Sequence, residues 1–150
     1  MRIRYLVIPL KKKEENMNRK KIKQAIFYLG AIGLSIFLLF FFITGVWIGY
    51  EVKNSCKQAQ AAYEGDCVEA LSALLIDENQ SFWARNNAIW ALGQFRDSRA
   101  VSVLEKYYTG DIPDREPINE TISQYELEKS LNLSRGGTNL GAFIWRKIFN

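Results

Sequence analysis

The sequence predicts an all-α protein in which one transmembrane helix precedes a small solenoid of helical hairpins. Two observations lead to this fold class. Residues 25–50 form an apolar run without a charged residue, and residues 54–110 carry apolar side chains at helical spacing, divided by short turns. We therefore expect a basic tail over residues 1–24, a transmembrane anchor over 25–50, and a helical domain over 51–150 that ends in a capping segment.

The apolar run is long enough to cross a membrane. Its 26 residues would form a helix about 39 Å long, and the hydrocarbon core of a bilayer is about 30 Å thick. A cleaved signal peptide has a shorter apolar core, of about 7–15 residues, and a cleavage site of small residues. The run instead ends in WIGYEVKNSC, which contains no such site. The sequence therefore favours an uncleaved signal anchor.

Charge is distributed unevenly on the two sides of the anchor. Residues 1–24 hold nine Lys/Arg and two Glu, a net charge of +7, whereas residues 51–150 hold eleven Lys/Arg and fourteen Asp/Glu, a net charge of −3. The positive-inside rule then predicts a cytoplasmic N-terminus and a domain outside the membrane. A mildly acidic domain also argues against nucleic-acid binding. Translation from Met1 and translation from Met17 both leave a basic flank before the anchor.

The composition excludes several kinds of chemistry. The chain has no histidine, which removes Ser–His and Cys–His nucleophile pairs and histidine-ligated metal sites. Two cysteines cannot form a four-thiolate zinc site, and no Gly-rich phosphate loop of Walker or Rossmann spacing occurs. We therefore expect no enzyme activity, no catalytic residue, no cofactor and no metal ion.

The domain reads as two consecutive helical hairpins. In the second hairpin, Gly93 and the Arg-Asp pair that follows it predict a turn, and Gly110 predicts the end of the second helix. The apolar residues of its first helix recur at i, i+1, i+3, i+4 and i+7, namely at Ala88, Ile89, Ala91, Leu92 and Phe95. Residues 56–77 repeat the arrangement at an offset of 33 residues, a period typical of helical solenoids.

The segment RNNAIWALGQFRDSRAVSVLEKYY resembles the short bacterial HEAT-like repeat, also called the phycobilin-lyase-type HEAT repeat. The repeat places an Arg before an Ala, then Ala-Leu-Gly, a turn with Asp, and Arg-Ala-Val before a Leu. Those positions are filled by Arg85, Ala88, Ala91, Leu92, Gly93, Asp97, Arg99, Ala100, Val101 and Leu104. The resemblance implies that these residues build the repeat, that the domain binds through its surface, and that the setting is bacterial. Together with the orientation predicted from charge, this places the anchor in the inner membrane and the domain on the periplasmic side.

The predicted function is that of a membrane-tethered scaffold or accessory subunit that binds another protein. Trp83 and Trp90 are seven residues apart and form a stripe on one helix, which either contacts a partner together with Tyr108 or is buried against a neighbouring repeat. The alternative is an enzyme or a lyase-like small-ligand-binding domain. It would need Arg85, Asp97 and a further carboxylate, Glu105, to converge around Tyr108.

Cys56 and Cys67 are candidates for a disulfide, because an oxidising compartment favours pairing. The bond needs Cα atoms about 4.4–6.8 Å apart, so either Cys56 precedes its helix or that helix is very short. Two free thiols and an intermolecular bond are the other possibilities. Gly45 and Gly49 form a GxxxG spacing in the apolar run, through which two copies of the chain can approach as a homodimer.

The last forty residues continue beyond the second hairpin. Residues 121–133 predict a further helix, and the terminal segment is apolar and aromatic, with Phe143, Ile144, Trp145, Ile148 and Phe149. A hairpin at the end of a solenoid exposes an apolar face. We expect the helix and the terminal segment to cap that face; the alternative is an amphipathic segment that docks on the membrane or on a partner.

Overall fold

The computed structural model describes the backbone of residues 4–149 and the side chains of residues 19–139, 141, 142 and 144–146. Over that range the chain is helical and contains no β-strand, which confirms the all-α prediction. The helices are α1 (Arg4–Gln60), α2 (Cys67–Ile76), α3 (Phe82–Phe95), α4 (Arg99–Tyr107), α5 (Gln124–Ser134) and α6 (Leu140–Phe149). The chain divides into two units, Met1–Ile43 and Thr44–Asn150; we call the second the compact unit.

The helix α1 contains the apolar run. Its section from Arg19 to Gln60 is long and apolar enough to cross a membrane, with a mean hydropathy of 2.6 and no buried residue in its most apolar stretch. It is the one candidate membrane span among the described residues. Most side chains of the predicted basic tail, those of residues 1–18, lie outside the described residues.

The compact unit begins earlier than the predicted domain boundary at residue 51. The helix α1 continues without a break to Gln60, and the unit already includes Thr44. Gly45 and Gly49 are buried, whereas the described residues before Thr44 are exposed. The end of α1 is thus both the end of the predicted span and the first helix of the compact unit.

The compact unit is built from packed helical hairpins. The end of α1 and α2 form the first hairpin, and α3 and α4 form the second. The helix α5 then packs against both α3 and α4. Leu92 and Leu104 are fully buried, as their helical spacing predicts. They share one core with the small and aliphatic residues Ala59, Val68, Ala70, Leu71, Leu75, Ala88, Ile89, Ala91, Ala100, Leu127 and Leu131.

The turn between α3 and α4 falls at the predicted Arg-Asp pair, but Gly93 is not part of it. Gly93 lies inside α3 and is buried, and α3 continues to Phe95. Arg96 makes the turn with a left-handed backbone, φ 57°. The reason for a glycine at position 93 is a close helix contact: a Cβ there would stand 2.7 Å from the Cα of Ser130 in α5. Gly93 therefore serves the packing of α3 on α5, and only the assignment of Gly93 to the turn was wrong.

A disulfide joins Cys56 to Cys67, with their Cα atoms 5.1 Å apart. Cys56 lies within α1, but the helix ends at Gln60. Because α1 ends soon after Cys56, the chain can turn back and bring Cys67 within bonding distance of Cys56. The bond closes the turn between α1 and α2.

The predicted capping segment divides into two parts. The helix α5 covers the second hairpin. The helix α6 packs on both α1 and α3, since Trp145 and Ala142 form a small second core with Val52 of α1, and Trp90 and Phe95 of α3 pack against that core. The side chains of Phe143, Ile148 and Phe149, which the prediction also placed in the cap, lie outside the described residues.

Candidate interaction surface

Exposed apolar side chains gather around the first turn of α3. Trp83 is 56% exposed, and Phe82 beside it is also exposed. Ile76 at the end of α2 and Ile118 in the segment before α5 are exposed as well. We call these four residues the Trp83 surface. A large aromatic side chain that stays in water forgoes its burial energy, so an exposed tryptophan among aliphatic residues is typical of a contact site.

A buried arginine, Arg85, packs beneath the Trp83 surface. Arg85 is 6% exposed and donates from Nε to the carbonyl oxygen of Leu75, at 2.9 Å. Its guanidinium lies 5.9 Å from the ring centre of Phe82 and 5.5 Å from that of Tyr107. Arg85 thus joins the end of α2 to the start of α3 and to α4. Arg85 does not pair with Asp97, and its contacts fit a role in building the repeat.

The position of Ile118 depends on a buried amide. The side chain of Asn86 donates to the carbonyl oxygens of Ile118 and Thr121, both at 2.8 Å, and accepts from the backbone amide of Ser123, also at 2.8 Å. These three bonds fix residues 108–123, which we call the connector, against α3. Sequence reasoning missed Asn86, because its partners are more than thirty residues away along the chain.

The connector also ends in an ordered cap. Ser123 begins α5 and accepts from the amide of Glu126. The carboxylate of Glu116 accepts from the hydroxyl of Ser123 and from the amide of Gln124. A carboxylate at the start of a helix satisfies free amides and is favoured by the helix dipole. The surface that includes Ile118 is therefore preformed.

A shallow groove runs beside Trp83, between α1, α2 and α3. It has a volume of about 30 Å³. The residues that line it with Trp83 are Ser55, Gln58, Leu71, Leu74, Ala84, Asn87 and Ala88. Its small volume suits a side chain of another protein better than a complete small molecule, since pockets for small molecules measure about 300–1,000 Å³.

Trp90 and Tyr108 lie apart from Trp83. Trp90 is half-buried and packs against both cores of the compact unit. Tyr108 is half-buried and lines a different groove, of about 380 Å³. The other residues of that groove are Glu128, Leu131, Asn132, Arg135 and Gly137, all from α5 or the turn after it. The structure therefore does not bring the three predicted surface residues into one groove.

The polar residues proposed for a ligand site have separate partners. Arg85 bonds the carbonyl oxygen of Leu75, and Glu105 pairs with Arg135 at 2.5 Å. Asp97 pairs with Arg99 at 2.7 Å. These side chains do not converge around Tyr108. Among the described residues, no group of three Cys, Asp or Glu side chains is placed to hold a metal ion.

Arg99 joins the two hairpins on the exposed side. Besides Asp97, it pairs with Asp66 at 2.7 Å and lies 3.7 Å from Glu69. The bond of the Asp66 carboxylate to the amide of Glu69, followed by its bond to Arg99, lowers the pKa of Asp66; Arg99 likewise lowers the pKa of Asp97. Arg99 and Asp66 are about half exposed, so the pair contributes little to stability. Their separation of 33 residues equals the repeat offset.

The geometry of α3 and α4 fits the repeat that the sequence resembles. Residues 84–109 match the family model of the PBS lyase HEAT-like repeat. Residues 84–109 thus form a HEAT-like repeat, and the resemblance inferred from the sequence is confirmed for this segment. The HEAT-like repeat includes Arg85, Gly93 and Arg99 but not Trp83, which precedes it. Neither the comparison with curated proteins nor the comparison with solved structures finds a match.

Proposed function

We propose that the chain is a membrane-tethered scaffold or accessory subunit, and that it binds another protein through the Trp83 surface. The compact unit would lie outside the membrane, as the basic residues before the span indicate. A HEAT-like repeat is an interaction or scaffold element, because stacked helical hairpins present extended binding surfaces. To that general role the proposal adds that the chain is anchored in a membrane, that the compact unit faces outside, and that binding occurs at the Trp83 surface.

The exposure of Trp83 is the observation that carries the proposal. The compact unit buries or half-buries Trp90 and Trp145, while Trp83 stays 56% exposed beside a groove. Tryptophan is enriched among the residues that dominate binding at protein interfaces. Arg85 and Asn86 hold the surrounding residues in place, so a partner would meet a rigid surface.

The membrane part of the proposal has its own support. The apolar run is uncharged over 26 residues, and its described side chains before Thr44 are exposed. A helix that leaves so much apolar surface uncovered is stable in lipid and not in water. A protease added to the outside of intact cells should remove the compact unit. If cleavage occurs only after the membrane is permeabilised, the compact unit lies on the cytoplasmic side and the proposed orientation is wrong.

Site-specific photocrosslinking tests the surface in the full chain. A photoreactive amino acid replaces Trp83 in one variant and Tyr125, an equally exposed aromatic on α5, in a control variant. We expect one discrete protein adduct from position 83 and none from position 125. Trp83→Ala should then weaken binding of the captured protein about 30-fold, as loss of a residue worth about 2 kcal/mol would. Equal adducts at both positions, or none, would remove the Trp83 surface from consideration.

A further inference from the structure

Aromatic side chains mark two levels on the apolar run. Tyr28 and Trp47 are 19 residues apart, and a helical run of that length rises about 29 Å. The hydrocarbon core is about 30 Å thick, and Tyr and Trp are enriched at its two boundaries. Trp47 is 65% exposed. In a spanning helix, Trp47 therefore marks the outer boundary of the hydrocarbon.

The helix α6 packs against α1 at this level. A Cβ on Gly45 would stand 3.0 Å from Cδ1 of Ile144, and a Cβ on Gly141 would stand 3.5 Å from Cδ1 of Ile48. Residue 141 thus lies beside residue 48, and residue 144 lies beside residue 45. The helix α6 therefore runs antiparallel to α1 and passes the level of Trp47 between residues 141 and 144.

Polar contacts hold α6 in that place. Asn139 accepts from the amide of Ala142 at 3.0 Å and donates to the side-chain oxygen of Gln94 at 2.8 Å. Arg146 donates from Nε and Nη2 to the carbonyl oxygen of Gln94. The ring of Trp145 meets that of Phe95 edge to face, with 5.9 Å between the ring centres. The helix is fixed to the last turn of α3.

Two arginines lie at the same end of α3. Arg96 donates to the carbonyl oxygen of Gly136, and Arg146 donates to that of Gln94. Among the described side chains, neither guanidinium has a carboxylate within salt-bridge distance. Burial, and after it the charge of Arg96, lowers the pKa of Arg146. Two positive charges without acidic partners would bind phosphate groups well.

Taking these contacts together, we propose that α6 and the end of α3 form a surface that rests on the outer boundary of the bilayer. The ligand is the headgroup layer, with lipid phosphates at Arg96 and Arg146. Val52, against which Trp145 packs, is five residues beyond Trp47, or about 8 Å higher along α1. The headgroup layer is about 5–8 Å thick on each side. The proposal rests on the membrane anchoring given under the proposed function.

The same geometry bears on the predicted homodimer. Ile144 of the same chain covers Gly45, so a second copy could approach Gly45 only if α6 moved away. A membrane-resting α6 and a Gly45 dimer therefore exclude each other at this position.

Depth-dependent quenching of tryptophan fluorescence tests the proposal. The full chain is reconstituted in phosphatidylcholine vesicles that carry a nitroxide on the headgroup. Three variants replace Trp47, Trp83 or Trp145 by Phe. The quenching of each tryptophan is the difference in quenched fluorescence between the parent and the variant that lacks it. We expect strong quenching of Trp47 and Trp145 and at least twofold weaker quenching of Trp83, since Trp83 lies beside Gln58, about 16 Å beyond Trp47 along α1.

The outcomes separate this proposal from the membrane anchoring itself. If Trp47 is not quenched, the span is wrong and the proposed function loses its membrane part. If Trp47 is quenched while Trp145 is quenched as little as Trp83, the anchoring stands and the bilayer-resting surface is overturned. A protein partner or a second copy would then cover α6.

A second measurement does not depend on replacing Trp145. Vesicles contain a minority of phosphatidylglycerol with brominated acyl chains, and the quenching of Trp47 reports how much of this lipid gathers around the protein. We expect phosphatidylglycerol to be enriched around the parent protein above random mixing. This enrichment should fall in Arg96→Gln and persist in Lys129→Gln, a matched control that removes one positive charge from α5. Enrichment that is equal in Arg96→Gln and in the parent would overturn the phosphate contacts.

Discussion

Replacing Gly93 by alanine tests the closest helix contact in the compact unit. An added Cβ would stand 2.6 Å from Oγ, 2.7 Å from Cα and 2.9 Å from Cβ of Ser130. The hydroxyl can rotate away, but the Cα belongs to the backbone of α5. The substitution therefore forces α3 and α5 apart along a contact that both helices bury.

Two opposing terms set the magnitude. Alanine is favoured over glycine inside a helix by about 0.8–1 kcal/mol. Overpacking a tight contact costs about 1–3 kcal/mol, and a clash with backbone belongs at the upper end of that range. We expect Gly93→Ala to lower the free energy of unfolding by about 2 kcal/mol. For a unit of this size, about 2 kcal/mol lowers the melting temperature by roughly 8–16 °C.

The assay is thermal unfolding of the full chain in detergent, followed by tryptophan fluorescence. Gly33→Ala is the matched control, because Gly33 is also helical but has nothing within 4 Å of an added Cβ. Ser130→Gly removes two of the three clashing atoms, so combining it with Gly93→Ala should recover part of the loss beyond additivity. A Gly93→Ala variant as stable as the parent would mean that α3 and α5 are not in close contact, and the placement of α5 would have to be revised.

Three further changes test other contacts. Asn86→Ala should release the connector from α3, making it at least tenfold more sensitive to protease, whereas the neighbouring Asn87→Ala should not. Replacing Cys56 and Cys67 by alanine should lower the free energy of unfolding by about 3 kcal/mol, because the bond no longer restricts the loop in the unfolded chain. A reductant should lower the stability of the parent by the same amount and leave that of the variant unchanged, which would show that the disulfide is the cause. Asp77 accepts hydrogen bonds from the hydroxyl of Tyr63 and from the backbone amide of Asn79, and these bonds lower its pKa to about 2. Its stabilising effect is therefore complete above about pH 4, the unfolded pKa, and is lost as the pH falls towards 2. Asp77→Asn should flatten the acid unfolding curve in that range, and an unchanged curve would mean that these bonds to Asp77 do not stabilise the fold.

The sequence predicted the elements whose signals are local. Ala88, Leu92 and Leu104 recur at helical spacing, and all three are buried in one core. Hydrophobic periodicity predicts a buried face because the period of a helix is a property of the backbone. The Asp66–Arg99 pair could also have been found, since its separation equals the repeat offset.

The contacts of non-repeated segments could not be predicted in this way. Gly93 was read as a turn because glycine often ends helices, and its true neighbour Ser130 lies in a helix that follows a long connector. The sequence around Asn86 is equally compatible with an exposed amide. The pairing of Gly45 with Ile144 joins residues about a hundred positions apart, and composition alone shows only that both segments are apolar.

These non-repeated segments determine which surface is left for a partner. A short solenoid exposes an apolar face at each end. Here the end of α1 is itself a helix of the first hairpin and places Ala59 in the core. The helix α5 covers the second hairpin, and α6 packs against the end of α1 and against α3. Since α5 covers the end that follows the second hairpin, that end is not open to a partner. The apolar side chains at the first turn of α3 are then free for a partner, and this is why we place binding at Trp83 and not at the ends of the solenoid.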